Sequence, residues 1–156
     1  MSAETSRNFM NTYAAHLAMV GATLLACGST GASAKAGEER WIALSRTALA
    51  ITGNIRLSPT RLHTERANFP LKVAADVPRF GGELGPVAAR VLAVTAPTNP
   101  VLLNGNRLCG GPVRWIVVSH TKDGALELDA FDSKRMPASV KWTGFCGSSF
   151  YTRASR

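Results

Sequence analysis

Few side chains in this chain of 156 residues have the types and spacing that catalysis needs. Ser119 and His120 are neighbours, and neighbouring side chains on a strand point to opposite faces, so they cannot form a local nucleophile–base pair. The same argument places Asp129 and Asp132 on opposite faces of a strand, so they make a poor acid–base pair. His63 and His120 without a third ligand make a weak metal site. We therefore predict no catalytic residues, no metal and no cofactor.

The three cysteines indicate export. Cys27 lies near the N-terminus, whereas Cys109 and Cys146 lie in the remainder, with no CxxC or Cys/His cluster that would favour redox catalysis or structural zinc. A single pair in an exported chain predicts a disulfide between Cys109 and Cys146, because such compartments are oxidising. The alternative is two buried free thiols, since cysteine packs well in cores.

Basic side chains predict an anionic ligand. The chain has 18 Lys and Arg against 10 Asp and Glu, a net charge of +8, and residues 35–156 keep all of it. A basic surface attracts polyanions. From charge and loop position we predict ligand contacts at Arg107, Arg114, Lys134 and Arg135. The alternative is a solvated surface without a dedicated partner.

Residues 1–34 have the pattern of a signal peptide. The apolar run 13–26 has 14 residues, too few to span a bilayer, and small residues follow it. Ala32-Ser33-Ala34 fits the A-x-A cleavage pattern, which would leave Lys35 first. A buried N-terminal helix is the alternative.

A second cleavage site competes with the first. Leu24-Leu25-Ala26-Cys27 resembles the lipobox of bacterial lipoproteins, which would remove residues 1–26 and lipidate Cys27. Both sites predict a mature domain outside the cytoplasm. It would be periplasmic or secreted, or an outer-membrane lipoprotein held to the membrane only through its lipid.

The elements that would position these residues are strands. Composition excludes a disordered chain, since 46% of residues are apolar, and scattered Gly and Pro exclude collagen-like repeats. After a linker at 35–40, residues 41–153 predict an all-β domain of seven or eight short antiparallel strands. A small barrel or a sandwich would cover the sheet edges, and short gaps favour up-and-down connections.

Individual strands follow from alternation and turn signals. Residues 69–77 predict a strand with Lys72 and Asp76 opposite its apolar face, and Lys122-Asp123-Gly124 predicts a hairpin turn. Residues 56–62 predict an edge strand because Pro59 lacks a backbone donor. Residues 41–55 predict two short strands or a helical turn followed by a strand. Three further strands are predicted at 87–95, 113–121 and 125–131, and a less regular tail at 139–153.

The loop at 99–112, NPVLLNGNRLCGGP, is the most distinctive segment. It is either a rigid recognition loop with Arg107 at its tip or a turn whose glycines serve only geometry. Together with residues 47–53, TALAITG, it resembles small uncharacterised exported proteins of proteobacteria, a likeness that implies no activity. In size, export signal and single disulfide the domain is similar to the small periplasmic β-barrel lysozyme inhibitors, which implies a barrel.

Three functions are therefore compared. We expect a non-catalytic binding module of the bacterial envelope, whose partner is an anionic polymer or lipid, or a protein, and not a nucleic acid. The alternative is a protein inhibitor of a secreted hydrolase such as lysozyme. A hydrolytic enzyme comes last, because no acid–base set is found.

Overall fold

The sheet is a closed antiparallel barrel. The computed structural model describes residues 37–155. Each strand pairs with the next in the chain, and the last pairs with the first. This confirms the all-β class and the up-and-down order, and the architecture is a barrel rather than a sandwich. The strands are β1 (Glu39–Ala43), β2 (Ile55–Ser58), β3 (Arg61–His63), β4 (Asn68–Gly82), β5 (Gly85–Thr98), β6 (Val113–His120), β7 (Leu126–Phe131) and β8 (Phe145–Arg153).

The signal peptide predicted at 1–34 and the lipidation predicted at Cys27 lie outside the described residues. β1 begins at Glu39, so the last two residues of the range predicted as a linker are paired in the sheet. Within residues 37–155, no helical segment has the length and hydrophobicity that a membrane crossing requires.

A β-bulge changes the predicted faces of β4. Leu71 and Val73 pair with Val94 and Leu92, as the alternation predicts, but the register shifts between Val73 and Ala75. The extra residue reverses the alternation beyond it. Asp76, predicted opposite the apolar face, therefore lies on the same face of the sheet as Leu71, the one that lines the barrel interior. The prediction for the second half of this strand was wrong.

The segment around Pro59 is a turn and not an edge strand. Ser58 pairs with Arg61, so Pro59 and Thr60 connect β2 to β3 in a hairpin. Proline fits such a turn because it fixes φ and needs no backbone donor. A closed barrel has no edge strand, so the predicted edge at 56–62 was wrong.

Residues 41–55 combine the two alternatives predicted for them. Strand β1 ends at Ala43, and a five-residue π-helical turn, Ala48–Thr52, precedes β2, which begins at Ile55. Ala48 is fully buried, and the Thr52 hydroxyl lies 2.7 Å from that of Tyr151 on β8. Because this contact joins residues 99 positions apart, local sequence carries no signal for it.

The barrel interior and part of its outer surface hold separate apolar clusters. Trp41 and Tyr151 are the largest fully buried side chains and pack in the interior with Phe69, Ile116 and Leu128. A smaller cluster lies on the opposite face of the sheet and contains Phe80, Ala89, Val91, Val117 and Phe131. The smaller cluster is covered by the end of β4 and by Val140, which precedes β8.

Strand order assigns each connection to one end of the barrel. In an up-and-down barrel, successive connections alternate between the two ends. The connections at 44–54, 64–67, 99–112 and 132–144 therefore lie together at what we call the disulfide end. The turns at 59–60 and 121–125 lie at the other, which we call the open end. The tip of the long β4–β5 hairpin instead folds over the outer surface of the barrel, where Phe80 packs against Phe131 and Gly81 pairs with Ser139 of the 132–144 connection.

Candidate functional site

The predicted basic contacts lie at the disulfide end. Arg107 is exposed in the 99–112 loop, and Lys134 and Arg135 are exposed in the 132–144 loop. Arg114 is half-buried at the second position of β6, where that strand leaves the same end. The strand topology thus gathers at one end four residues that the sequence separates by up to 28 positions.

These loops are fixed by cross-links between them. Cys109 and Cys146 form the predicted disulfide, which ties the 99–112 loop to β8. The side-chain amides of Asn104 and Asn106 both donate to the carbonyl of Ala50 in the π-helical turn, at 3.1 and 3.0 Å. The Arg107 guanidinium donates to the Asn99 carbonyl, so the loop around the predicted tip is held internally. The arrangement presents exposed charge on a structured surface.

The disulfide end carries most of the net charge. Its four connections contain six Lys or Arg and only two Asp or Glu, a net +4. Residues 37–155 as a whole carry net +6. The four ion pairs within that range involve basic side chains elsewhere: Arg56, His63, Arg90 and Arg153. Sequence reasoning missed Arg46, Arg66 and Lys141 as members of this group, although alternate connections of an up-and-down barrel must share an end.

A cleft of about 760 Å³ opens at the other end. Leu57, Leu92, Val118 and Leu126 form its apolar floor on four different strands. Its polar lining consists of Glu39, Ser58, Asp76, Arg90 and His120. Sequence reasoning did not identify this site. The local sequence carries little signal for it, because Asp76 pairs with Arg90 only after a register shift between Val77 and Phe80 in the β4–β5 hairpin.

The charged groups of the cleft are paired with each other or with neighbours. Arg90 donates two hydrogen bonds to Asp76, from Nε at 2.7 Å and from an Nη at 3.3 Å. These bonds hold the pKa of the Asp76 carboxyl below its usual value and raise the pKa of Arg90. Glu39 accepts a hydrogen bond from Arg153 at 2.9 Å. The His120 ring packs against the Trp41 ring, with centroids 5.8 Å apart.

A buried carboxyl group lies outside both ends. Asp129 on β7 is only 3% exposed and accepts a 2.5 Å hydrogen bond from the Ser148 hydroxyl. Burial raises its pKa to about 7, against the opposing effect of that hydrogen bond, and the charges of Glu127 and Glu83 raise it further. Burial also raises the pKa of Glu127. This carboxyl group titrates near neutral pH.

The other groups considered from sequence remain separate. His63 lies 3.4 Å from Glu38, whereas His120 lies against Trp41. Asp132 accepts a hydrogen bond from the Gly111 backbone and lies near both disulfide sulfurs, within 4.8 Å. Sulfurs joined in a disulfide are not thiolates, so this cluster does not provide a cysteine metal site.

Comparisons with protein-family models, with curated proteins and with solved structures gave no match to this chain. The resemblances drawn from the 99–112 loop and from the barrel architecture therefore stay predictions.

Proposed function

We propose that this chain is an exported, non-catalytic binding module that contacts an anionic component of the cell envelope through its disulfide end. The observation that carries the proposal is the gathering of six basic side chains on four connections at one end of the barrel. The remainder of residues 37–155 holds nine basic and seven acidic residues, so the excess positive charge is concentrated at the disulfide end.

The chemistry of this surface fits an extended anion. Arg107, Lys134 and Arg135 are exposed, and none of them takes part in the ion pairs found in residues 37–155. Cations that are not neutralised within the protein remain available for phosphate or carboxylate groups. The cross-linked loops reduce the entropy that would be lost on binding.

Export rests on two supports. The Cys109–Cys146 disulfide is compatible with an oxidising compartment. The leader pattern of residues 1–34 is the second, with lipidation at Cys27 as its variant. We therefore place the module in the periplasm or outside the cell, or on the outer membrane if Cys27 is acylated.

Charge reversal at the two ends tests the proposal. Vesicles of phosphatidylglycerol and phosphatidylcholine serve as the anionic surface. The triple variant Arg107→Glu/Lys134→Glu/Arg135→Glu is compared with Arg61→Glu/Lys72→Glu/Lys122→Glu, which changes three exposed basic residues outside the disulfide end by the same total charge. We expect the first variant to lose about a hundredfold or more in affinity, because each basic contact contributes about 1 kcal/mol near an anionic membrane.

Two results would contradict the proposal. Equal losses in both variants would show that net charge alone, and not the disulfide end, drives binding. Binding of the unchanged protein that persists when NaCl is raised from about 0.05 M to about 0.5 M would contradict an electrostatic interface, because exposed charges are screened at that concentration.

The alternative function, inhibition of a secreted hydrolase, would use the same 99–112 loop. Its structured conformation suits insertion into an enzyme cleft. Its basic charge does not suit lysozymes, which are themselves basic and would be repelled. An assay of cell-wall hydrolysis by lysozyme, with and without the protein, tests this alternative directly, and inhibition insensitive to salt would favour it over the anionic interface.

A further inference from the structure

The cleft at the open end is an unfilled part of the barrel interior. An eight-stranded barrel is just wide enough to be filled by its own side chains or to hold one small ligand. Here Trp41, Phe69 and Tyr151 pack within the interior core, whereas Leu57, Leu92, Val118 and Leu126 face the cleft of about 760 Å³. That volume lies within the range of about 300–1,000 Å³ typical of small-molecule sites.

Charge at this site is internally compensated. Asp76 and Arg90 satisfy each other across neighbouring strands, and Glu39 is paired with Arg153. A charged ligand would have to compete with these pairs or be desolvated against an apolar floor, which is costly. The open end therefore differs from the disulfide end, whose cations have no ion-pair partners within residues 37–155.

His120 is a polar residue of the cleft that is available to contact a ligand. This exposed residue lies at the last position of β6 and lines the cleft, and its ring packs against that of the buried Trp41. Within the described part of the chain, no hydrogen bond or ion pair occupies its ring nitrogens. A neutral imidazole offers one donor and one acceptor, so it can bind a hydroxyl group.

From this geometry we propose that the open end is a second binding site, which takes an uncharged, largely apolar small molecule with one hydroxyl group directed at His120. The apolar body of the ligand lies on the floor formed by Leu57, Leu92, Val118 and Leu126. This site is independent of the anionic interface at the opposite end.

The test uses a fluorescent probe and a matched set of competitors. N-phenyl-1-naphthylamine is uncharged and becomes fluorescent in apolar surroundings, so its titration into the full chain reports occupation of the cleft. We expect saturable binding with one site per chain. We expect 2-naphthol to displace the probe at lower concentration than naphthalene, 2-naphthoate or 1-naphthylmethylammonium at neutral pH.

Two substitutions locate the site. Ala88 on β5 is exposed and lines the cleft, so Ala88→Trp fills it without disturbing the core, and we expect it to abolish probe binding. Ala96→Trp, at an exposed position of the same strand away from the cleft, is the matched control and should bind as the unchanged protein does. His120→Phe keeps a ring beside Trp41 and should weaken 2-naphthol by about two- to tenfold, the range of one net hydrogen bond, with naphthalene unchanged.

Several outcomes would overturn the proposal. These are no saturable probe binding, equal binding by Ala88→Trp, or tighter binding of either charged competitor than of 2-naphthol. A fourth is a dimer of the unchanged protein that Ala88→Trp converts to monomer in sedimentation, since the cleft would then be an interface between copies of this chain. None of these results depends on the vesicle assay, so failure at one end leaves the other to be judged separately.

Discussion

At the scale of single residues, Asp129 is the clearest departure from ordinary surface chemistry. Its side chain is 3% exposed, with one hydrogen bond from Ser148 and with Glu127 and Glu83 near enough to oppose its ionisation. A carboxyl group in these surroundings is more stable protonated than ionised. Between about pH 4 and pH 7 the native protein therefore binds a proton here that the unfolded chain has already lost.

This difference makes the stability of the protein depend on pH. The folded pKa of Asp129 is about 7, above the ordinary value of 3.8, so its stabilising contribution is complete below about pH 4 and is lost as pH rises to about 7. The slope within that window approaches about 1.4 kcal/mol per pH unit. We expect Asp129→Asn to reduce this slope, leaving only the contribution of groups such as Glu127, and to be the more stable protein above pH 7, as measured by urea unfolding at several pH values.

Asp123→Asn is the control, because Asp123 is exposed in the turn between β6 and β7. It should leave the pH dependence of the unchanged protein intact. Parallel stability curves for Asp129→Asn and the unchanged protein would contradict the assignment of this titration to Asp129.

At the scale of elements, the disulfide holds the loops that carry the basic surface. It joins residues 37 positions apart, for which the loss of chain entropy in the unfolded state corresponds to roughly 3–4 kcal/mol. We expect the double variant Cys109→Ala/Cys146→Ala to lose about that much unfolding free energy, as measured by urea titration. Its far-UV circular dichroism should be unchanged, because the strand pairings of the barrel do not include this bond.

Reduction of the unchanged protein with dithiothreitol should give the same loss of stability. An unchanged urea midpoint after reduction would mean that the 99–112 loop is held by its other contacts alone, such as those from Asn104 and Asn106 to Ala50.

The elements that sequence predicted were those with local signals. Alternation located the strands at 87–95, 113–121 and 125–131, and Lys122-Asp123-Gly124 marked the turn between β6 and β7, where Gly124 has a φ of 78°. The sequence left two strands and a helical turn as alternatives for residues 41–55, because the contact that stabilises the π-helical turn comes from the distant Tyr151. The bulge in β4 was missed because the apolar alternation of residues 69–77 continues through it.

The candidate sites also divide into one with a local sequence signal and one without. Arg107, Arg114, Lys134 and Arg135 could be selected by charge and loop position, and topology then placed them together. The cleft could not be identified, since its floor takes single residues from four strands and its Asp76–Arg90 pair depends on the bulge in β4.

At the scale of the whole molecule, export is the prediction on which the envelope function depends. We expect the protein recovered from periplasmic or culture fractions to begin at Lys35, with an intact mass lower by two hydrogens than that of the reduced chain. Protein recovered from membranes and beginning at a diacylated Cys27 would support the lipoprotein alternative. Full-length protein in the cytosol with both Cys109 and Cys146 open to alkylation would contradict export.

The closure of the barrel between β1 and β8 has a further consequence for how the chain can be connected. Trp41 pairs with Arg153, and the Ala154 backbone donates to the Arg40 carbonyl at 3.1 Å, so the first and last strands meet side by side. A short linker between them, with new termini cut into the turn at 122–124, would give a circular permutant that keeps all eight strand pairings. The order in which the strands are synthesised is thus separable from the structure they form.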